Sequence, residues 1–186
     1  MDLNWEAEET DKFVTNIGII SSNGKHGNNV MACEWTHHIS YSPGLIAIHI
    51  TPRKATYENI METKEFGVSI ASIEQAVLSS IAGNYSARNF DKIKALEELG
   101  FKFFKAKKIN TLLVENASMN TECKLVNEIV LGDHVMLVGE IVALYSSDKK
   151  PIALGEGKYW ELEKNLPKKT EEERARIRSV VEKYKK

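Results

Sequence analysis

Two long β-rich runs inside "LLVENASMNTECKLVNEIVLGDHVMLVGEIVALYSS" (Leu112–Ser147) meet at Gly132-Asp133. Gly and Asp between apolar runs are the residue types that a two-residue hairpin turn demands, because its central positions take backbone angles that most side chains resist. The pair therefore predicts two long antiparallel strands. A doubly wound nucleotide fold is disfavoured, since it needs parallel strands alternating with helices throughout. The first half of the chain agrees. "FVTNIGIISS" (Phe13–Ser22) is rich in β-branched residues, "LIAIHIT" (Leu45–Thr51) is a short apolar run bounded by Pro52, and Gly- and Pro-bearing loops separate them without a helix.

Helical spacing is confined to the middle and the end. "KATYENIMETKEF" places Tyr57, Ile60 and Met61 at i, i+3, i+4, with Thr56 as an N-cap candidate. Helices are expected near 54–64, 74–82 and 89–99, the last two stopped by Gly83 and Gly100. The tail over 168–186 is nearly all charge, with Ile177, Val180, Val181 and Tyr184 as one thin apolar stripe; it reads as a helix lying on the body or on a partner subunit. The order of strands, helical middle and strands implies a mainly β fold with inserted helices: one domain over 1–186, an antiparallel barrel body over 12–165, and a C-terminal helix.

Composition narrows the function. The net charge is −1 and neither half is strongly basic, which argues against a nucleic-acid footprint. The apolar run Val135–Leu144 is broken by Gly139 and Glu140, so no membrane span is expected. The acidic start "MDLNWEAEET" lacks the basic and then apolar order of a signal peptide, and a cytoplasmic location is the expectation. Cys33 and Cys123, the two cysteines, are expected to be free.

"NNVMACEWTHHIS" (Asn28–Ser40) crowds Cys33, Glu34, His37 and His38 as a metal site would. Its surroundings read as strand, however, and on a strand Cys33 and His37 stand roughly 13 Å apart, with His37 and His38 on opposite faces. Such pairs do not converge on a zinc at about 2 Å, and no metal is expected. "GEGKY" (Gly155–Tyr159) lacks the spaced glycine and the Ser/Thr of a triphosphate loop, and "NGKHGNN" leads into a strand rather than a helix; both read as hairpin loops. No Gly-x-Ser-x-Gly or partnered Cys–His is present, Cys33 reads as a small inert hydrophobe, and His49 reads as a core residue. "TPRKATYENI" (Thr51–Ile60) differs from these, because Arg53, Lys54 and Thr56 gather at a helix start, where cations, a hydroxyl and free N–H groups suit an anion. "NYSARNFDK" (Asn84–Lys92) offers Ser86, Arg88 and Lys92 at another, as if one phosphate were gripped from two sides.

Taken in order, these segments resemble the flavin reductase-like proteins with an FMN-binding split barrel, of the flavoredoxin type. The resemblance runs from Val14-Thr15 to Tyr159. It rests on "NNVMACEWTHHISYSP", "IHITPRKATYENIMETKEFGVSI", "YSARNFDK" and "ECKLVNEIVLGDHVMLVGEIVAL" in the family's sequence. It implies an antiparallel, Greek-key-like split β-barrel, homodimeric, holding FMN noncovalently near the dimer interface. Met31, Ala32, Cys33, Glu34, Trp35 and Thr36 would line the isoalloxazine ring, largely through backbone. Arg53, Lys54 and Thr56, in the turn opened by Thr51, would hold the phosphate with Ser86 and Arg88. Ser69 and Ala71 would pass the ribityl chain, and His134 would stand near the nicotinamide or the dimer partner. Two departures are visible: Pro43-Gly44 where many members carry a double proline, and Ala55 where many carry a serine in the phosphate turn. The implied activity is hydride transfer from NAD(P)H to bound FMN, with electrons passed to a flavin, a metal or a protein; chemistry at the cofactor needs no acid–base dyad. The alternatives are a flavoredoxin-like electron carrier without its own small-molecule substrate, and a non-redox binding module on the same barrel.

Overall fold

A computed structural model of the chain describes residues 2–3 and 7–185. Its strands are β1 (Thr15–Asn16), β2 (Gly18–Ser22), β3 (Asn29–Cys33), β4 (Thr36–Tyr41), β5 (Gly44–Ile50), β6 (Glu65–Ile70), β7 (Phe103–Lys105), β8 (Leu112–Val114), β9 (Met119–Leu131), β10 (His134–Ser146), β11 (Ile152–Gly155) and β12 (Lys158–Glu161). Its α-helices are α1 (Ala55–Thr63), α2 (Ala76–Asn84), α3 (Lys92–Glu98) and α4 (Glu171–Glu182). The fold is mainly β with a few helices, and every ladder between these strands is antiparallel. Among the described residues no helix is long and apolar enough to cross a membrane.

The Gly132-Asp133 turn forms as expected. Leu131 pairs with His134, and Gly132 takes φ +60°, an angle open to glycine at the first central position of a two-residue turn. The resulting hairpin lies within a seven-stranded sheet of order β3-β2-β6-β9-β10-β5-β4. The two end strands, β3 and β4, are separated in the chain by Glu34 and Trp35 alone. In a flat sheet they would lie about 29 Å apart, at about 4.8 Å for each of the strand-to-strand steps. The link from Cys33 to Thr36 reaches about 10 Å. The sheet must therefore roll until its ends meet, although no ladder between β3 and β4 closes it.

Rolling gives the sheet two buried faces. Ile20, Met31, Ile48, Phe66, Val68 and Leu137 fill the inside, plugged by Ile60 of α1. Ile17, Ile19 and Val30 face outward, under Leu78 and Ala82 of α2 and Ile93 and Leu96 of α3. Adjacent residues of β2 and β3 thus bury opposite faces, which is why those strands carry continuous apolar runs instead of alternation. Gly139 lets the sheet close tightly on itself, since a Cβ there would overlap the Phe66 ring and lie 2.8 Å from Cys123 Cβ.

Local expectations fail in four places. The Asn28–Ser40 segment is two strands rather than one, because the chain must turn from one end of the rolled sheet to the other at Glu34-Trp35. Thr56 is not the N-cap of α1: Lys54 holds that position, and the Thr56 hydroxyl is turned inward to accept from Asn29 Nδ2 at 2.8 Å. Gly83 does not stop α2, which runs on to Asn84; packing of this helix on β3, where a Cβ added at Gly83 would meet Ala32 Cβ at 3.5 Å, outweighs a propensity cost of about 1 kcal/mol. Finally, α4 forms as expected, with a reciprocal Thr170–Glu173 capping box, but none of its residues is buried, so of the two placements expected for its stripe, on the body or on a partner subunit, it does not take the one on the body. Asp91 caps α3 through the Lys94 amide, and that helix ends at Glu98, with Gly100 just past its Leu99 cap at φ +90°.

Candidate functional site

The site is built around the Glu34-Trp35 link. Its carbonyls are held by the surrounding structure: Glu34 O accepts from Thr15 Oγ1 at 3.0 Å and Thr36 N at 2.9 Å, and Trp35 O accepts from His49 N at 3.1 Å. With the backbone fixed in this way, the two side chains face a cleft of about 340 Å³. Met31, Ala32 and Cys33 of β3 form its floor. His49 and Ile50 of β5, Ser79 and Gly83 of α2, His134 of β10 and Tyr159 of β12 complete the walls. Much of this lining is small or apolar, which suits a flat ring.

Met31, Lys54, Gly83 and Asn84 also border a smaller cavity of about 100 Å³, where Asn29, Thr56, Ser86 and Lys92 come together. The start of α1 opens toward this end without a side-chain cap, so the first amides of the helix keep their partial positive charge. Lys92 is only 4% exposed; its ammonium donates to Ala82 O at 3.2 Å, and burial together with the Lys54 charge lowers its pKa to about 8. Neither lysine has a carboxylate partner among the described residues. A buried ammonium without an anion is costly. Thr51 Oγ1 and Asn29 Oδ1 are buried and unpartnered in the same region.

The expected site residues therefore divide. Met31, Ala32, Cys33, Glu34, Trp35, Thr51, Lys54 and His134 line the larger cleft, and Thr56 and Ser86 join Lys54 at the cationic end. Thr36 is buried behind the link, its hydroxyl donating to Cys33 O at 2.9 Å. Ser69 and Ala71 lie in the interior instead of on the cleft, because β6 sits between β2 and β9; Ser69 donates to Asn120 Oδ1 at 2.5 Å. Arg53 lines neither cavity. Arg88 is turned away to Glu58, at 2.9 Å, and to Arg53 O. Glu58 also holds Lys25 and His26, and the hydrogen bonds from Arg88, His26 and Lys25 keep its carboxyl far below the ordinary range.

Spacing alone did not identify Asn29, Tyr159 or the pocket role of His49. His49 is not a core residue: its ring leaves the sheet beside Trp35 and His37, with centroids 6.2 and 5.9 Å away. His134, bonded to Asp133 at 2.7 Å, stacks obliquely on Trp35 at 4.7 Å. Together Trp35, His49 and His134 separate the cleft from a second, wider one of about 800 Å³ that Phe13, His37 and Leu131 also line. Cys33 is buried and donates to His49 O at 3.4 Å; burial pushes its thiol upward, so it stays protonated. Among the described residues, no group of three or more His, Cys, Asp or Glu side chains could hold a metal ion.

Comparisons with known proteins bear on the family and the fold. The profile of the Flavin reductase like domain matches residues 10–163. An uncharacterised protein of Archaeoglobus fulgidus is 32% identical over 120 residues, covering 64% of this chain and 66% of that one, just under two thirds of its length. An NADH-dependent flavin reductase of Rhodococcus is 27% identical over 126 residues, 67% of this chain and 65% of that protein. Among solved structures, the flavoredoxin of Desulfovibrio vulgaris (Miyazaki F) superposes with a TM-score of 0.75 at 23% identity, over 90% of this chain and 97% of that one.

Proposed function

The chain belongs to the family of the Flavin reductase like domain, and from that premise we propose that it is an FMN-dependent oxidoreductase. The observation that carries this reading is the pair Lys54 and Lys92, unpaired cations at the narrow end of a cleft floored by Met31, Ala32 and Cys33. A phosphate monoester supplies the missing anion, ribityl hydroxyls supply partners for Thr51 Oγ1 and Asn29 Oδ1, and a flat ring suits the floor.

FMN bound there would accept hydride from NAD(P)H and pass electrons to a flavin, a metal or a protein. The chain's own part is positional. Lys54, Lys92, Thr56 and the α1 amides hold the anion, and Ser86 closes that end. Glu34, Trp35 and the backbone of the link border the ring, while Trp35 and His134 form the wall on which a nicotinamide would rest. The rolled sheet is read as the split barrel of the family. We read the protein as a cytoplasmic homodimer, with the exposed outer part of β9, including Val126 and Val130, as the surface to be covered. Sedimentation at micromolar concentration tests the dimer.

Titrating the flavin-free protein with FMN, followed by anaerobic addition of NADH, tests the main reading. Bound FMN that bleaches, together with NADH oxidation stimulated by free flavin, is the expected result. Bound FMN without turnover would instead favour the flavoredoxin-like carrier, the alternative that the Desulfovibrio likeness keeps in view. Failure to bind FMN would leave only a non-redox module.

A further inference from the structure

Among the described residues Glu34 is the one carboxylate that lines the cleft, and holding a flavin there makes no use of its charge. Its backbone carbonyl is fixed by Thr15 and Thr36, so the side chain is held at the cleft, half-buried. Glu122 and Glu58, by contrast, are each satisfied by several donors. The carboxylate of Glu34 has no hydrogen bond or ion pair among the described residues. The groups around it offer little compensation. Lys54 belongs to the cationic end, His49 and His134 face from β5 and β10, the Cys33 thiol is protonated, and Tyr159 faces it from β12. Burial has already raised the Glu34 carboxyl above its ordinary value, and the Tyr159 phenol is raised by burial and then by the Glu34 charge.

Covering a half-hydrated, unpaired carboxylate with an uncharged aromatic ring removes its remaining water and supplies no cation. The charged form is then the one penalised. Resting on the flavin reading above, we infer that Glu34 takes up a proton from solvent when the flavin ring fills the cleft, so that flavin binding is a proton-coupled equilibrium at this residue. The carboxylate and one solvent proton become a carboxylic acid, which can donate to a ring carbonyl where the carboxylate could only repel it. The sign follows directly. A group protonated in the complex and ionised in the free protein makes affinity fall as pH rises, by at most about tenfold per pH unit.

The test compares wild type with Glu34→Gln, which keeps the shape and removes the titration, and with Glu34→Ala, which removes the side chain. Each is titrated with FMN and with riboflavin by fluorescence quenching between about pH 5.5 and 8.5. Calorimetry in PIPES and in Tris, which differ in their heats of ionisation, counts the protons exchanged on binding. Riboflavin matters because it lacks the phosphate, which titrates within this range. Wild type is expected to lose about tenfold or more in riboflavin affinity across the range while taking up protons; both variants are expected to be flat within about twofold, and Glu34→Gln is expected to bind more tightly than wild type at the alkaline end. Equal pH slopes and equal proton counts in wild type and Glu34→Gln would overturn the inference and leave the flavin reading standing. Failure of wild type to bind FMN at all would overturn both.

Discussion

Asn29 donates to Thr56 across 2.8 Å in the interior, joining the first residue of β3 to the first turn of α1. The bond couples the floor of the cleft to its cationic end. Thr56→Val should cost about 1 to 3 kcal/mol in urea unfolding by stranding the Asn29 amide. Asn29→Ala should cost a similar amount and also lower FMN retention on dialysis, because its unpartnered Oδ1 faces the same region.

Lys92 is a base whose folded pKa, about 8, lies below its ordinary 10.5. Below about 8 both states carry the proton and the folded protein bears the cost of the buried charge, about 3 kcal/mol at about 1.36 kcal/mol per unit. Between those values the unfolded chain binds more protons, so stability rises with pH. Flavin-free Lys92→Met should lose that rise in pH-dependent urea midpoints and be at least as stable as wild type near neutrality. Its FMN affinity should fall tenfold or more, since a charged hydrogen bond contributes about 1.5 to 3 kcal/mol.

Asn59, fully buried, accepts from His26 N at 3.0 Å and donates to Gly27 O at 3.0 Å and Ser22 Oγ at 3.2 Å. It clamps the β2–β3 loop onto α1. Asn59→Ala should destabilise by about 2 kcal/mol and open the loop to trypsin at Lys25, seen as an early cleavage product that wild type does not give.

Gly139→Ala places a methyl group against the Phe66 ring and Cys123 Cβ. Overpacking of this kind costs about 1 to 3 kcal/mol. Gly132→Ala strains the hairpin turn at φ +60° but meets no neighbour, so its thermal midpoint should fall less than that of Gly139→Ala.

Glu122 is fully buried. Burial alone would raise its pKa, but the amides of Lys107, Lys108 and Ile109 and the Tyr145 hydroxyl outweigh that and hold it below the ordinary 4.5. The stability it contributes is complete above the unfolded value and is lost as pH falls through the folded one. Glu122→Gln should be less stable than wild type by about 1 to 3 kcal/mol near neutrality, and the gap should narrow below about pH 4 in acid titrations.

What the sequence made legible was local. The Gly132-Asp133 turn, the Gly100 helix stop and the Lys54–Thr56 helix start are written in neighbouring residues, and the structure keeps each of these features. What it concealed depended on long-range closure. The break at Glu34-Trp35 arises because β3 and β4 end a seven-strand order, which no window of neighbouring residues displays. Arg88 resembled an anion ligand until Glu58, from a distant helix, claimed it. His49 sat among isoleucines and looked buried, yet Trp35 O, which arrives from the link, holds its ring at the cleft. The resemblance puts Ser69 beside a ribityl chain, whereas its hydrogen bond to Asn120 across the sheet keeps it in the interior.

The two-residue link has one more consequence. Since β3 and β4 stand at opposite ends of the strand order, the cleft around Glu34 and Trp35 takes shape only after all five intervening strands have found their register. No fragment lacking one of them can present it. Flavin retention is thus a gauge of the whole sheet, and loss of colour on heating should coincide with cooperative unfolding, shifting to higher temperature as free flavin is added.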